Sequence, residues 1–150
     1  MTRSTVSSQR AKYETFRRAY DTVKTYKVQA NYLAAYVITF SIIEDRLRAL
    51  YVVWYRSKKN AEPSPKQINQ PFTRLVNTLV ADQTITAELN DELNNEAKQR
   101  NELLHAAMWN MDTFSNDIVE KAMKTARNIN NAGRRAAIQL KKQELNQQGS

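Results

Sequence analysis

Three features of the sequence predict an all-α protein, a bundle of four to five helices in a single domain. Only 2 Gly and 3 Pro punctuate the 150 residues, so the two strongest helix breakers are nearly absent. The good helix formers Ala, Leu, Lys, Arg, Glu and Gln are abundant. Apolar side chains recur in steps of three and four over long stretches, the period of a helix with one buried face. A chain of this length buries one core.

Residues 8–29 place Phe16, Ala19, Tyr20, Val23 and Tyr26 on one face and Arg10, Lys12, Arg17, Arg18, Lys24 and Lys27 on the other, an amphipathic first helix. Residues 31–56 carry a seam of Leu33, Tyr36, Phe40, Ile43, Leu47, Leu50 and Trp54, flanked by Val37, Ile38 and Ile42. This second helix should be central. No strong breaker separates it from the first, so one bent rod is an open alternative to two helices. Residues 57–71 contain the three prolines without a periodic pattern and read as a loop or crossover. Phe72, Leu75, Val76, Leu79 and Val80 then share one face of a helix of about two turns.

Asp82 or Thr84 is a candidate N-cap for the next helix, which runs through Ile85, Leu89, Leu93 and Ala97 towards Leu104. Its outer face carries Glu88, Asp91, Glu92, Asn94, Asn95 and Lys98, read as solvated groups. The last helix spans residues 116–143, with Ser115 as cap and Asp117 and Glu120 in the first turn, where the helix dipole favours acids. Its stripe is narrow: Ile118, Ala122, Ala126, Ile129, Ala136 and Leu140. Gly133 weakens it by roughly 1 kcal/mol relative to Ala. Residues 144–150 are expected to fray into a disordered tail.

The net charge of +8 is unevenly spread. Residues 1–62 carry 12 Lys/Arg against 5 Asp/Glu, residues 63–116 carry 4 against 7, and residues 117–150 carry 7 against 3. Two basic thirds flank an acidic middle. A polyanion such as RNA or DNA is the functional reading, because phosphate contacts release condensed counterions; a solvated basic surface that only aids solubility is the alternative. With no Cys and one His, neither a disulfide framework nor a structural zinc site is expected, and no cofactor is. The longest apolar run, residues 32–43, falls short of the about 20 residues that span a bilayer. The first ten residues lack an apolar signal region, so a cytoplasmic protein with no membrane partner is expected.

The single histidine stands in "RNELLH", residues 100–105. Arg100 and His105 lie five positions apart, about 140° around a straight helix, so one unbroken helix cannot close both on one small group. Either the helix ends between them, or a second copy of the chain completes the site across a two-fold axis. Asn101 and His105, at i and i+4, share a face, so Asn101 could orient the imidazole. A guanidinium beside an imidazole is equipment for phosphodiester cleavage: Arg holds the phosphate and His acts as general acid or base. The plain alternative is a packed or surface histidine.

These residues resemble the HEPN superfamily (higher eukaryotes and prokaryotes nucleotide-binding domains). "RNELLH" matches its R-x4-6-H motif, with a polar residue directly after the Arg. The motif follows a helix bearing "FSIIEDRLRALY" and precedes the final long helix, so the pattern covers residues 32–142, although only the hexapeptide is specific. The resemblance implies a bundle that usually dimerises with both motifs facing one cleft. It also implies metal-independent endoribonuclease activity leaving a 2′,3′-cyclic phosphate and a 5′-hydroxyl, often in toxin–antitoxin, phage-defence or RNA-processing systems. On that basis Arg100 would bind the scissile phosphate, Asn101 would position it or the histidine, and His105 would be the acid/base. Glu44, with Asp45 as fallback, would support the Arg; simple helix-surface charges are the alternative.

Superfamily toxins silenced by nucleotidyltransferase antitoxins often carry Tyr two positions after the His, where this chain has Ala107. Silencing of that kind is not expected; a binding antitoxin or a nucleotide-linked partner stays open. Met108 and Trp109 read as core or dimer-interface residues, and Tyr32, Tyr36, Tyr51 and Tyr55 as structural. Arg17, Arg18 and Lys24, with Lys121, Lys124, Arg127, Arg134 and Arg135, are the candidate RNA-tracking surface. Two other function classes stand beside the nuclease: a noncatalytic nucleic-acid-binding or partner-docking module, and a helical assembly protein with incidental charge.

Overall fold

The computed structural model describes the backbone of residues 3–149 and the side chains of residues 14–110 and 112–149. The chain is all-helical, with no strand among the described residues. Its elements are α1 (Arg3–Val28), α2 (Tyr32–Lys59), α3 (Pro65–Ile68), α4 (Phe72–Ala81), α5 (Ala87–Ala107), a 3-10 turn (Met111–Thr113) and α6 (Asn116–Gln148). The helix beyond the expected four to five is the single-turn α3, inside the segment read as a loop. It is closed by a capping box: the Gln67 amide donates to Ser64 Oγ (3.2 Å) and the Ser64 amide to Gln67 Oε1 (2.7 Å), with Pro65 opening the turn. Ser-x-x-Gln with Pro after the Ser is legible in sequence; the density of prolines hid it.

α2 is the central element, packed against α6 above all and also against α1, α3 and α4. Tyr36, Ile43, Leu47 and Leu50 of α2 are fully buried. α6 meets them with Val119, Ala122, Ala126, Ile129 and Ala132, and the alanines let the two backbones approach closely, so a narrow stripe suffices. Of the expected flank of α2, Ile42 is buried but Val37 is 43% exposed. Two of the tyrosines fasten the α3 turn: Gln70 Nε2 donates to Tyr51 Oη and Gln67 Nε2 to Tyr55 Oη, both at 3.2 Å.

α1 and α2 are two helices, not a bent rod. Ala30 takes φ 55°, its amide donates to Lys27 O (3.0 Å) and the Asn31 amide to Tyr26 O (2.8 Å), the paired bonds of a Schellman stop. Asn31 Oδ1 then caps α2 by accepting from the Ala34 amide (3.3 Å). α4 ends in the same way, with Gln83 at φ 56° and the bonds Gln83 N to Val80 O and Thr84 N to Leu79 O. The N-cap of α5 is Thr86, whose Oγ1 accepts from the Leu89 amide (3.1 Å), and neither Asp82 nor Thr84 serves. Asp82 instead accepts from Trp54 Nε1 (2.8 Å) and pairs with Lys58, bonds across 28 and 24 positions that local pattern cannot show. Ser115 caps α6 as expected, and that helix continues to Gln148 where a frayed tail was expected. Lys27 and Glu120 form an ion pair that ties α1 to α6. No helix among the described residues is long and apolar enough to cross a membrane.

Candidate functional site

The buried stripe of α5 runs through Leu89, Leu93, Ala97 and Leu103, and Arg100 occupies a place in it where an apolar residue would otherwise sit. α2 accommodates the guanidinium with Phe40 and Glu44, one helical turn apart on the same face. Arg100 Cζ lies 4.3 Å above the Phe40 ring centroid, within cation–π range. Arg100 Nη1 donates to Glu44 Oε1 at 2.5 Å, a charge-assisted bond between two partly buried side chains. Its Nε donates to Asn101 Oδ1 at 3.4 Å. A guanidinium has five N–H donors, so several remain for an anion. The second oxygen of Glu44 accepts from Arg48 Nη1 at 3.2 Å, so two guanidiniums share one carboxylate and the cluster keeps one net positive charge. Asp45, the fallback, is paired with Arg46 at 3.2 Å instead.

Beneath Arg100 lies a pair that the sequence reading did not single out. Glu96, one turn earlier on α5, is 1% exposed. Tyr36 Oη donates to its Oε2 (3.3 Å), while its Oε1 has no hydrogen-bond partner among the described residues. Burial pushes the Glu96 carboxyl above the usual carboxylate range, against the opposing effects of the Tyr36 bond and Lys121. Burial, then the charge of Glu96, raises the Tyr36 hydroxyl as well. Tyr36 in turn packs on Phe40 and Phe114, with ring centroids 6.4 and 5.4 Å away. The floor under Arg100 is therefore buried.

His105 stands in the opposite environment. α5 is unbroken through Ala107, which rules out a helix end between the two motif residues and keeps them on different sides of one helix. His105 is exposed and has no hydrogen bond or ion pair among the described residues. The Asn101 carboxamide turns to Arg100 and not to His105, contrary to one expectation for it. Met108 and Trp109, 75% and 81% exposed, are not core residues. With the 40% exposed Leu104 they frame His105 by an apolar patch.

Arg17, Arg18 and Lys24 of α1 are exposed, as are Lys121, Lys124, Arg127, Arg134 and Arg135 of α6. The five on α6 fall within about 140° around the axis, on the face opposite its buried stripe. Lys27 does not belong to that surface, being paired with Glu120. Arg10 and Lys12 lie outside the described side chains. Glu92, read as solvated, accepts from Asn128 Nδ2 at 2.9 Å and joins α5 to α6. Phe40 and Arg48 were missed as site residues, although their spacing of four on either side of Glu44 was a usable signal. Among the described residues no three His, Cys, Asp or Glu are grouped to hold a metal. The chain matches no family model, no curated protein and no solved structure.

Proposed function

We propose that the protein is a metal-independent endoribonuclease of the HEPN type, acting as a two-fold pair in which Arg100 of one copy and His105 of the other address the same phosphodiester. The observation that carries this reading is the seating of Arg100. Glu44 and Phe40 fix a guanidinium at the α2–α5 seam while leaving N–H donors unused, which suits a residue that must grip phosphate in one geometry. His105, on the other side of an unbroken helix, cannot join it within one copy. The apolar patch of Leu104, Met108 and Trp109 beside it is what a second copy would cover.

In the reaction the ribose 2′-hydroxyl attacks the phosphorus, the bond to the 5′-oxygen breaks, and the products are a 2′,3′-cyclic phosphate and a 5′-hydroxyl. Imidazole removes the 2′-proton and, in its protonated form, supplies one to the leaving oxygen, while Arg100 balances the charge growing on the phosphate. The basic faces of α1 and α6 track the remaining strand. A toxin, defence or RNA-processing setting and an antitoxin or nucleotide-linked regulator belong to this reading. Purified protein incubated with total RNA in EDTA should cleave it, and His105→Ala or Arg100→Ala should lower the rate about 10²–10⁴-fold. Cleavage indifferent to both substitutions defeats the proposal.

One observation favours a second reading, a noncatalytic RNA-binding or partner-docking module: His105 has no hydrogen bond or ion pair among the described residues. That reading expects salt-sensitive RNA binding, unchanged in His105→Ala and lost when Arg17, Arg18, Lys124 and Arg127 are neutralised.

A further inference from the structure

Arg48 stands between two features. On one side it shares Glu44 with Arg100 (3.2 Å). On the other it lines a cleft of about 460 Å³ between α1, α2 and α3, together with Phe16, Arg46, Val52 and Ile68. That volume falls in the range of small-ligand sites. The Nε atoms of Arg46 and Arg48 are shielded from solvent and donate to nothing among the described residues. Atoms shielded in this way are out of reach of a ligand, so what the two side chains offer the cleft is the Nη–H groups left over from their bonds to Asp45 and Glu44. The Arg46 guanidinium is held flat, its Cζ 3.6 Å from the Phe16 ring centroid, with Asp45 on one edge. Asp45, also on the cleft wall, offsets one of the two positive charges there, and Glu44 is already shared with Arg100.

We propose that this cleft is a phosphate subsite in which Arg46 and Arg48 hold a phosphodiester adjoining the one at Arg100, with Phe16, Val52 and Ile68 as apolar walls for the attached nucleoside. Guanidinium is the side chain best matched to phosphate oxygens. The common carboxylate keeps Arg48 and Arg100 close enough for neighbouring phosphates of one strand to reach both. The choice of an RNA strand over a free phosphate rests on the nuclease reading; the presence of an anion site does not.

The test follows the arginine Nε–H resonances of the full chain by NMR during titration with a 2′-O-methyl tetranucleotide, which lacks the attacking hydroxyl, and separately with inorganic phosphate. The signals of Arg46 and Arg48 should move with the tetranucleotide, which should bind about tenfold more tightly than phosphate. Arg48→Ala should weaken binding about tenfold, and so should Arg48→Lys, which keeps a cation for Glu44 but lacks the planar guanidinium fork. Signals of Arg46 and Arg48 that stay still while the Arg100 signal moves overturn the subsite, and equal affinity for free phosphate overturns its assignment to an RNA strand. Failure of the nuclease reading appears elsewhere, as absence of His105-dependent cleavage, and leaves these resonances to report on the cleft.

Discussion

The two ends of "RNELLH" share one helix and almost nothing else. Arg100 is gripped by a carboxylate and an aromatic ring above a packed Tyr36–Glu96 floor. His105, five residues on, is exposed beside Leu104, Met108 and Trp109 and has no hydrogen bond or ion pair among the described residues. A site whose two halves differ this much is finished at one end and open at the other. The first half is built by the fold, and on the proposed function the second is what an RNA or another copy of the chain completes.

Substitutions sharpen that contrast when stability is read beside activity. Phe40→Ala removes the 3% exposed ring under Arg100 and should cost about 3–5 kcal/mol in denaturant unfolding; a loss under about 1 kcal/mol would show that the arginine end is not packed as described. Glu44→Gln should cost about 1 kcal/mol or less, since the ion pair is partly exposed. If Arg100 grips phosphate as proposed, the substitution should raise KM for RNA more than it lowers kcat, because a loosened guanidinium would bind phosphate less well. An unchanged KM would separate Glu44 from the phosphate grip.

Glu96 adds a pH signature to the packed half. Burial raises its folded-state pKa above the ordinary value of 4.5, so the unfolded chain releases this proton first as pH rises. Between that ordinary value and the raised one, the unfolded state binds fewer protons, and stability falls with increasing pH. Glu96→Gln should flatten that decline and leave the protein more stable above it, as read from melting temperatures across pH; the same slope in both proteins would assign it to another group. The smallest effect belongs to the open half: His105→Ala should change stability by less than about 0.5 kcal/mol, and a larger loss would reveal a contact at the histidine.

The sequence carried the all-α class, the central seam of α2 and the Ser115 cap, because each is a local pattern of spacing or capping chemistry. Helix ends were less legible. Ala30 and Gln83 stop α1 and α4 in the left-handed conformation, which usually selects Gly because a Cβ there costs roughly 1–2 kcal/mol, so no glycine marked either stop. The Glu92–Asn128 and Asp82–Trp54 bonds join residues 36 and 28 positions apart, and the burial of Glu96 depends on Tyr36, 60 positions away. Periodicity could not reveal them. The contact between Glu44 and Arg100 was anticipated only through family resemblance, whereas Phe40 and Arg48 stood on the same helical face four residues to either side.

The central claim, that the packed arginine of one copy works with the open histidine of another, is tested most directly by mixing two inactive chains. Arg100→Ala and His105→Ala proteins, unfolded together and refolded at equal concentration, form hybrid pairs in which one of the two sites has both residues intact. Random pairing predicts recovery of about a quarter of wild-type RNA cleavage. A mixture as inactive as either variant alone, beside an active wild type, would contradict the claim.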